Sequence, residues 1–351
     1  MMKNIVLLLF WVIFIPSQAQ KDQKTFISAA DSNYTYIGRF DFSDKKQPVF
    51  MYSGCMIRTV FEGPSVELFM MDDSLRNEFT VIIDNDLSVL KTNNKSGRYL
   101  LAHKLKNGKH TLEIIRRTEW HCGNTVFLGL NLDKGKRLIK PEIKQHKIEF
   151  IGDSYTCGYG NEGKSHNEHF SYETENNYMT FGAISARALD ADYFMVCRSG
   201  IGMFQGYGGN KDFTMPQVYD EVVLHKKLKW DFSLYQPQLV VIDLGGNDLS
   251  AKLDTAQFVK AYLNFLTRLR KNYPDAKIVC VAGPSDTGDE WQTWRSLIHT
   301  VVNQSKIQDR EVYYFEFSTF EPNGSDWHPN IEEHSAMADE LESYLEALMD
   351  W

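Results

Sequence analysis

Several features are missing from this sequence of 351 residues, and each absence excludes a class of protein. No run of lysine and arginine exceeds three residues and the formal net charge is −8, which argues against a nucleic-acid partner. Beyond the N-terminus no apolar stretch reaches the roughly 20 residues of a membrane-spanning helix, so we expect no integral membrane segment in the mature chain. Cysteine is scarce, and its odd count of five leaves at least one free thiol. Cys55 and Cys122 could pair, with two separate buried thiols as the open alternative.

The N-terminus has the pattern of a secretory signal peptide. Lys3 supplies a positive charge, residues 5–15 are an unbroken apolar run, and small residues follow up to Ala19. A helix of these eleven residues would be about 16 Å long, against roughly 30 Å for a bilayer core, so an uncleaved anchor is the less favoured alternative. The pattern predicts a signal peptide at residues 1–20, cleaved after Ala19, and export to the periplasm or the outside of the cell.

The chain changes character near residue 145. Before it, short β-branched and aromatic runs are separated by turn signals such as Glu62-Gly63-Pro64, which predicts a β-sandwich, in particular a jelly roll, over residues 25–143. After it, strands alternate with helices, which predicts an α/β domain with a parallel sheet over residues 144–351. The predicted strands are 147–151, 192–197, 238–244, 277–282 and 312–317; the predicted helices include 256–269 and a last helix that Asn330 and Glu333 cap.

Four turns that follow predicted strands or precede the last helix carry chemically useful groups. Because ligands bind at the carboxyl ends of parallel strands, these turns are expected to meet at one edge of the sheet. Ser154 supplies a hydroxyl that becomes a nucleophile if a base takes its proton, and His328 is the natural base at neutral pH. The amides of Ser154 and Gly200 and the side chain of Asn247 could stabilise an oxyanion.

Each turn alone also has an ordinary structural explanation: a capping serine, a tight glycine turn, an Asx turn and a solvated histidine. Taken together, with the serine first in the chain and the histidine last, they predict a serine hydrolase. The Gly-x-Ser-x-Gly elbow of α/β-hydrolases appears nowhere in the chain, which excludes that class of enzyme. This chemistry requires neither a metal nor an organic cofactor.

The sequence resembles the SGNH hydrolases, and within them carbohydrate esterase family two. The resemblance is carried by residues 152–163, 199–202 and 326–329, and by the N-terminal segments 38–40, 110–112 and 116–119. It implies a jelly-roll domain followed by a three-layer α/β/α, flavodoxin-like SGNH domain. It also implies that Ser154, Gly200 and Asn247 form the oxyanion hole, that His328 activates Ser154, and that the partner is an acetylated polysaccharide of the xylan or glucomannan type.

The acidic member of the triad departs from the usual SGNH pattern. Most members place it three residues before the histidine, where this chain has Ser325, while Asp326 stands only two before. Asp326 is therefore one candidate for the group that orients His328, and a backbone carbonyl is the other. Trp327 is a candidate wall of the acyl pocket or platform for a sugar, with packing as the alternative.

Other functions stay open at the level of sequence. A serine esterase or thioesterase on other acyl substrates would use the same groups, and a glycan-binding protein could share the scaffold. A two-domain adaptor without activity has no positive sign in the sequence. His166 and His169 stand three residues apart, with Glu168 between them, and zinc sites use such spacings. A third ligand with local context is missing, so a polar surface loop is the favoured interpretation.

Overall fold

The computed structural model describes residues 24–93, 96–223, 227–284 and 288–351. The signal peptide predicted at residues 1–20 lies outside these ranges. Among the helices within them, none combines the length and the apolar character needed to cross a membrane.

The N-terminal part consists of two antiparallel sheets. Alternation along the strands explains the arrangement, since Leu112 and Ile114 are buried while the neighbouring Thr111 and Glu113 face outward. The strands are β1 (Lys24–Ser28), β2 (Thr35–Ile37), β3 (Val49–Phe50), β4 (Met56–Glu62), β5 (Val66–Asp72), β6 (Glu78–Ile83), β7 (Asp86–Lys91), β8 (Arg98–Ala102), β9 (Lys109–Arg116), β10 (Thr125–Asp133) and β11 (Leu138–Ile139). One sheet has the order β1-β10-β5-β8, with β3 on β10, and the other has the order β11-β4-β9-β6-β7, with β2 on β4.

The C-terminal part is built on a parallel sheet. Its strands are β12 (His146–Gly152), β13 (Ala191–Cys197), β14 (Leu239–Asp243), β15 (Lys277–Ala282) and β16 (Val312–Glu316). They lie in the order β13-β12-β14-β15-β16. The helices are α1 (Ser154–Cys157), α2 (Phe181–Ala188), α3 (Met215–Val218), α4 (Gly246–Leu249), α5 (Thr255–Asn272), α6 (Asp289–Ser305) and α7 (Ile331–Met349). Each predicted strand overlaps one of these strands, and the predicted fold class is confirmed.

Helices cover both faces of this sheet. Every residue of β13 and β14 is buried, as expected of strands that are packed on both sides. Helix α2 packs on α7 and α5 packs on α6. Because the chain leaves β12 toward one edge and β14 toward the other, right-handed crossovers place these two pairs on opposite faces. The order reverses between β12 and β14, which is where such sheets bind ligands.

The predicted cap of the last helix is confirmed. The side chain of Asn330 accepts a hydrogen bond from the amide of Glu333 at 2.9 Å, and the Glu333 carboxylate accepts one from the amide of Asn330 at 2.7 Å. This reciprocal pair satisfies two amides that the first turn of a helix leaves without partners. It also sets where α7 begins, and the functional turn at 325–328 lies directly before it.

Buried arginines join the antiparallel sheets to the parallel sheet. Arg58 on β4 donates to Glu113 at 2.6 Å and to Asp192 on β13 at 2.7 Å. Arg39 is fully buried and lies 3.4 Å from the carboxylate of Glu149 on β12. Removing one member of such a pair would leave a buried charge without its partner, at a cost of roughly 3–5 kcal/mol. These contacts hold the N-terminal sheets against the parallel sheet.

The five cysteines are all buried and all free. Cys55 and Cys122 therefore do not pair, and the structure has the second of the two arrangements that the sequence left open. Burial raises the pKa of both thiols to about 12, so both are neutral thiols at physiological pH.

Candidate active site

Ser154 stands at a sharp turn between β12 and α1. Asp153 caps the helix, since its carboxylate accepts a hydrogen bond from the amide of Tyr155 at 3.2 Å. A Cβ on Gly152 would overlap the side chain of Thr156, so only glycine allows the chain to turn this tightly. The hydroxyl of Ser154 is thus presented at the carboxyl end of a central strand, with 7% of the residue exposed.

The structure brings His328 to Ser154. Its Nε2 lies 2.9 Å from the Oγ of Ser154, although the two residues are 174 positions apart. The rings of Tyr159 and Tyr155 flank the imidazole, with centroids 4.3 and 5.5 Å away. The histidine loop is tied to the loop after α1, because the amide of Ser325 donates to the carbonyl of Gly160 at 2.9 Å. The two groups predicted to form the nucleophile and its base are therefore at hydrogen-bonding range.

Backbone carbonyls, and not the carboxylate of Asp326, face the other imidazole nitrogen. The Nδ1 of His328 lies 3.0 Å from the carbonyl oxygen of Asp326 and 3.2 Å from that of Ser325. A carbonyl can only accept, so Nδ1 carries the proton and Nε2 is left with the lone pair that accepts from Ser154. The candidate role of the Asp326 carboxylate is thus corrected: the residue faces His328 through its main chain.

The conformation of residues 325–327 explains this difference. Asp326 and Trp327 have φ of +49° and +63°, a left-handed turn that directs the Asp326 carboxylate away from the imidazole. That carboxylate accepts from the amide of Phe170 at 2.8 Å and the hydroxyl of Tyr159 at 3.2 Å, and it pairs with His169 at 3.0 Å.

Ser325 itself stands at the position where most SGNH hydrolases have the acid. The residue is fully buried, and a Cβ on Gly160 or on Gly163 would overlap its side chain. This close packing favours a small side chain at position 325. The small side chain of Ser325 and the two glycines that contact it are therefore matched in size.

The environment of His328 keeps it neutral. Burial lowers its pKa below the usual value of 6.5, and the hydrogen bonds from Nδ1 to the two carbonyls offset this only in part. At neutral pH the imidazole is therefore a free base. This is the protonation state in which Nε2 can take a proton from a hydroxyl.

Two of the predicted oxyanion donors are backbone amides without a hydrogen-bond partner in the described part of the chain. The amides of Ser154 and Gly200 have no hydrogen-bond acceptor among the residues that the structure describes. Gly200 has a φ of +76° and opens onto free space, with only the Cβ of Tyr207 within 4 Å of where a side chain would begin. A larger residue would be strained here and would narrow the approach to the amide.

Asn247, the third predicted donor, is hydrogen-bonded in the structure. Its Nδ2 donates to the carboxylate of Asp153 at 2.9 Å and to the carbonyl of Ile201 at 3.1 Å. Both amide hydrogens thus have acceptors. An oxyanion can bind Nδ2 only if it shares a hydrogen with one of these acceptors or displaces that acceptor. Burial raises the pKa of Asp153 to about 7, and the nearby charges of Asp248 and Glu119 add to the shift. Asp153 therefore titrates close to neutrality, beside the donor.

Asp248 holds the loop that carries Gly200. Its carboxylate accepts hydrogen bonds from three successive amides, those of Met203, Phe204 and Gln205, at 2.7 to 2.9 Å. The side chain is fully buried, so these bonds are shielded from water. This network fixes the Gly200 loop onto α4, the helix that carries Asn247.

Glu119 holds the same loop from the N-terminal part of the chain, and the sequence analysis missed it. This carboxylate is fully buried and accepts from the amide of Ser199 at 2.8 Å and from the Ser199 hydroxyl. It is a positioning residue, since it contacts the neighbour of Gly200 and not the reacting groups. One sign of its importance is visible in the sequence: Glu119 belongs to segment 116–119, which resembles the N-terminal domain of carbohydrate esterase family two.

A cavity of about 220 Å³ opens beside the Ser154–His328 pair. Trp291 and Trp294 form a buried wall, whereas Trp327 is 52% exposed at the rim and stacks on His166 with ring centroids 3.9 Å apart. His166 and His169 face different partners, Trp327 and Asp326, which disfavours a zinc site at that pair. The cavity is lined by Asp153, Ser154, Tyr155, Gly246, Asn247, Leu249, Pro284, Trp291, Trp294, Trp327 and His328.

Two family models match the chain. Residues 36–141 match the N-terminal domain of carbohydrate esterase 2, and residues 150–336 match the GDSL-like lipase/acylhydrolase family. The cellulase/esterase CelE of Acetivibrio thermocellus is 39% identical over 90% of this chain, and the chain spans only 39% of the length of that relative. An acetylxylan esterase/glucomannan deacetylase of Cellvibrio japonicus is 31% identical over 93% of this chain and 91% of its own length.

A solved structure agrees with these matches over nearly its whole length. A family two carbohydrate esterase from Clostridium thermocellum, in complex with cellohexaose, is 37% identical, with a TM-score of 0.86 over 91% of this chain and 99% of its own. Both halves of the chain, in the same order, therefore have counterparts in one family. The chain belongs to carbohydrate esterase family two, within the SGNH (GDSL-like) hydrolases.

Proposed function

We propose that this protein is an exported esterase that removes acetyl groups from polysaccharides of the xylan or glucomannan type. The observation that carries the proposal is the 2.9 Å contact between the Oγ of Ser154 and the Nε2 of His328 beside an open cavity. The relative from Cellvibrio japonicus, described as an acetylxylan esterase and glucomannan deacetylase, supports the choice of substrate. The apolar run at residues 5–15 supports export.

The proposed mechanism uses the chain's own groups. The Oγ of Ser154 attacks the acetyl carbonyl carbon while Nε2 of His328 accepts its proton, and the carbonyl oxygen becomes an oxyanion. The amides of Ser154 and Gly200 hold this oxyanion, together with the side chain of Asn247. The bond to the sugar oxygen then breaks, and His328 returns its proton to that oxygen. Water, deprotonated by the same imidazole, then attacks the acyl carbon. The bond to the Oγ of Ser154 breaks, His328 returns the proton to that Oγ, and acetate leaves.

The shape of the cavity supports a small acyl group and a bulky alcohol. The tryptophans at 291 and 294 close one side of the space beside Ser154, which leaves little room for a long acyl chain. The exposed ring of Trp327 at the rim offers an apolar face on which a sugar can stack. In the proposed complex the acyl group contacts the buried tryptophan wall, and the polysaccharide lies along the rim.

Acetate release from a panel of acetylated glycans tests this function. Acetylated xylan and acetylated glucomannan should release acetate faster than acetylated chitin or pectin. A series of p-nitrophenyl esters should favour acetate, with turnover falling from butyrate onward. Faster turnover of long acyl chains would indicate a lipid-type esterase instead. If a phosphonate fails to label Ser154 while glycans still bind, the protein is a binding protein and the proposal is wrong.

The pH dependence of kcat/KM is predicted from His328. Protonated imidazole cannot accept the proton of Ser154, so kcat/KM should fall as the pH drops through a value below 6.5, the usual histidine pKa. The measurement is a pH–rate profile with p-nitrophenyl acetate. A midpoint near 7 would point to Asp153, whose pKa is raised to about 7. In that case the pH profile of an Asp153→Asn variant should lose the midpoint near 7. It should keep the fall in kcat/KM at lower pH that His328 causes.

Replacement of Asp326 by asparagine is expected to have a small effect on activity. Since the main chain of Asp326 faces His328, we expect Asp326→Asn to lower kcat/KM by less than about 10-fold, against about 10⁴-fold for loss of a triad carboxylate. The variant should lose some thermal stability, because the carboxylate ties the loop through Phe170 and Tyr159. A fall of 10³-fold or more without unfolding would mean that the carboxylate orients the imidazole after all.

A further inference from the structure

A second cluster of reactive side chains lies where the N-terminal sheets meet the α/β part. Cys122 and His121 belong to the short helical turn between β9 and β10, and Glu175 follows the turn Tyr172–Thr174 of the α/β part. One ligand atom from each residue, a sulfur, a ring nitrogen and a carboxylate oxygen, lies within 4.8 Å of the other two. Cys122 and Glu175 are fully buried, while one third of the His121 side chain is exposed.

Glu175 has an unsatisfied oxygen. Its Oε2 accepts from the amide of Glu119 at 3.2 Å, but its Oε1 has no hydrogen-bond partner among the described residues. A carboxylate oxygen that is buried without a partner is costly, and such oxygens in folded proteins are normally hydrogen-bonded or bound to a metal. The guanidinium of Arg116 does not supply the missing bond, because its hydrogens are donated to the carbonyls of Thr118, Glu119 and Gly123.

The turn that carries Cys122 and His121 is rigid. The fully buried Arg116 donates to three carbonyls on either side of the turn. The Nδ2 of Asn77 donates to the carbonyl of Cys122 at 2.7 Å, with a further contact from Ser74. The ligand-bearing backbone is therefore held in place before any ion binds. This reduces the conformational entropy that binding would otherwise cost.

We propose that Cys122, His121 and Glu175 bind one Zn²⁺ ion, with water at a fourth position on the side where His121 reaches the surface. Thiolate, imidazole and carboxylate are the ligands that zinc takes, whereas magnesium and calcium prefer oxygen alone. The thiol of Cys122, which is neutral in the free protein, would release its proton to solvent as the zinc–sulfur bond forms. In a tetrahedral zinc site these atoms are about 3.2–3.8 Å apart, so the three side chains must draw in by about 1 Å.

The zinc would be structural. None of its three ligands is among the residues that line the cavity beside Ser154 and His328. It would join the turn at 120–122 to residue 175 across the boundary between the two parts of the chain. Glu119, which holds the Gly200 loop, precedes the same turn. The ion would thus fasten the N-terminal sheets to the α/β part at the point where they support the site.

Metal titration of the untagged full chain tests this inference. After treatment with a chelator, we expect the protein to take up one zinc per chain by elemental analysis and to unfold at a higher temperature with zinc than without. Co²⁺ in place of zinc should give the near-ultraviolet charge-transfer band of a cobalt–thiolate bond. Failure to bind stoichiometric zinc, or a cobalt complex without that band, would overturn the proposal.

Variants locate the ion. His121→Ala, Cys122→Ser and Glu175→Gln should each weaken zinc binding by at least 10-fold and abolish the thermal shift. His103→Ala, at an exposed histidine, and Cys280→Ser, at a buried thiol of β15, are the matched controls and should retain both. His121 is partly exposed, so its variant should fold, and esterase activity checks this. Zinc binding that survives in both His121→Ala and Glu175→Gln would refute the site.

Discussion

Replacing Ser154 with alanine is expected to abolish ester hydrolysis while leaving the fold intact. The Oγ contacts the Nε2 of His328, and no other group in the described cavity is placed to replace it as the nucleophile. By analogy with serine proteases, we expect kcat to fall on the order of 10⁶-fold, with residual turnover supplied by the oxyanion hole and by binding. The measurement is steady-state hydrolysis of p-nitrophenyl acetate and acetate release from acetylated xylan.

The controls separate chemistry from folding. Ser185→Ala removes another buried hydroxyl, one that donates to the carbonyl of Phe181 in α2, and it should keep full activity. Ser154→Ala should unfold at the same temperature as the wild type and should still bind oligosaccharide. His328→Ala should lose a comparable factor, and the double variant no more than the larger single loss, because the two residues act as one unit. Retention of more than about 1% of the wild-type activity in Ser154→Ala would remove the basis of the proposed mechanism.

The positions of Ser154 and His328 were predictable because they depend on a rule about sheets. Apolar runs of four to eight residues mark strands, and the carboxyl ends of parallel strands meet at one edge. The turns after β12, β13 and β14 therefore had to lie together, whatever their exact side-chain contacts. A separate signal, the capping pattern of Asn330 and Glu333, located the start of α7, which places His328 just before it.

The group behind the imidazole was not predictable, because it depends on two backbone angles. Whether Nδ1 faces a carboxylate or a carbonyl is decided by the positive φ of Asp326 and Trp327. Residues 323–326 are turn-forming, and aspartate tolerates a positive φ. That signal does not show which residues take the conformation or which group then faces Nδ1. Sequence reasoning could only keep both candidates open.

Contacts between the two parts of the chain were also not predictable from the sequence. Glu119 and Ser199 are 80 residues apart and lie in loops that follow strands of different sheets, so no local pattern links them. The same is true of Cys122 and Glu175. Hydrophobic periodicity locates elements, but the docking of one set of sheets on another depends on side chains such as Arg58 and Asp192 that are matched only in the folded chain.

Asn247→Ala is expected to cause the second large loss of activity. Removal of one side-chain donor from an oxyanion hole typically lowers kcat by about 10²–10³-fold, and KM should change little, because the donor acts on the developing charge. The measurement is kcat and KM for p-nitrophenyl acetate. The same substitution also removes the hydrogen bonds to Asp153 and to the carbonyl of Ile201, so a loss of kcat alone does not identify the cause.

Gln205→Ala is the matched control for the loss of hydrogen bonds that hold the loop in place. Its Nε2 donates to the carbonyls of Asp248 and Lys252, at 2.9 and 3.3 Å, so the variant loosens the Gly200 loop without removing a group from the cavity. If Asn247 stabilises the oxyanion, Asn247→Ala should lose far more kcat than Gln205→Ala at equal thermal stability. It should also react more slowly with a phosphonate, whose tetrahedral adduct fills the oxyanion hole. Equal losses in the two variants would mean that Asn247 only holds the loop, and that the amides of Ser154 and Gly200 stabilise the oxyanion without it.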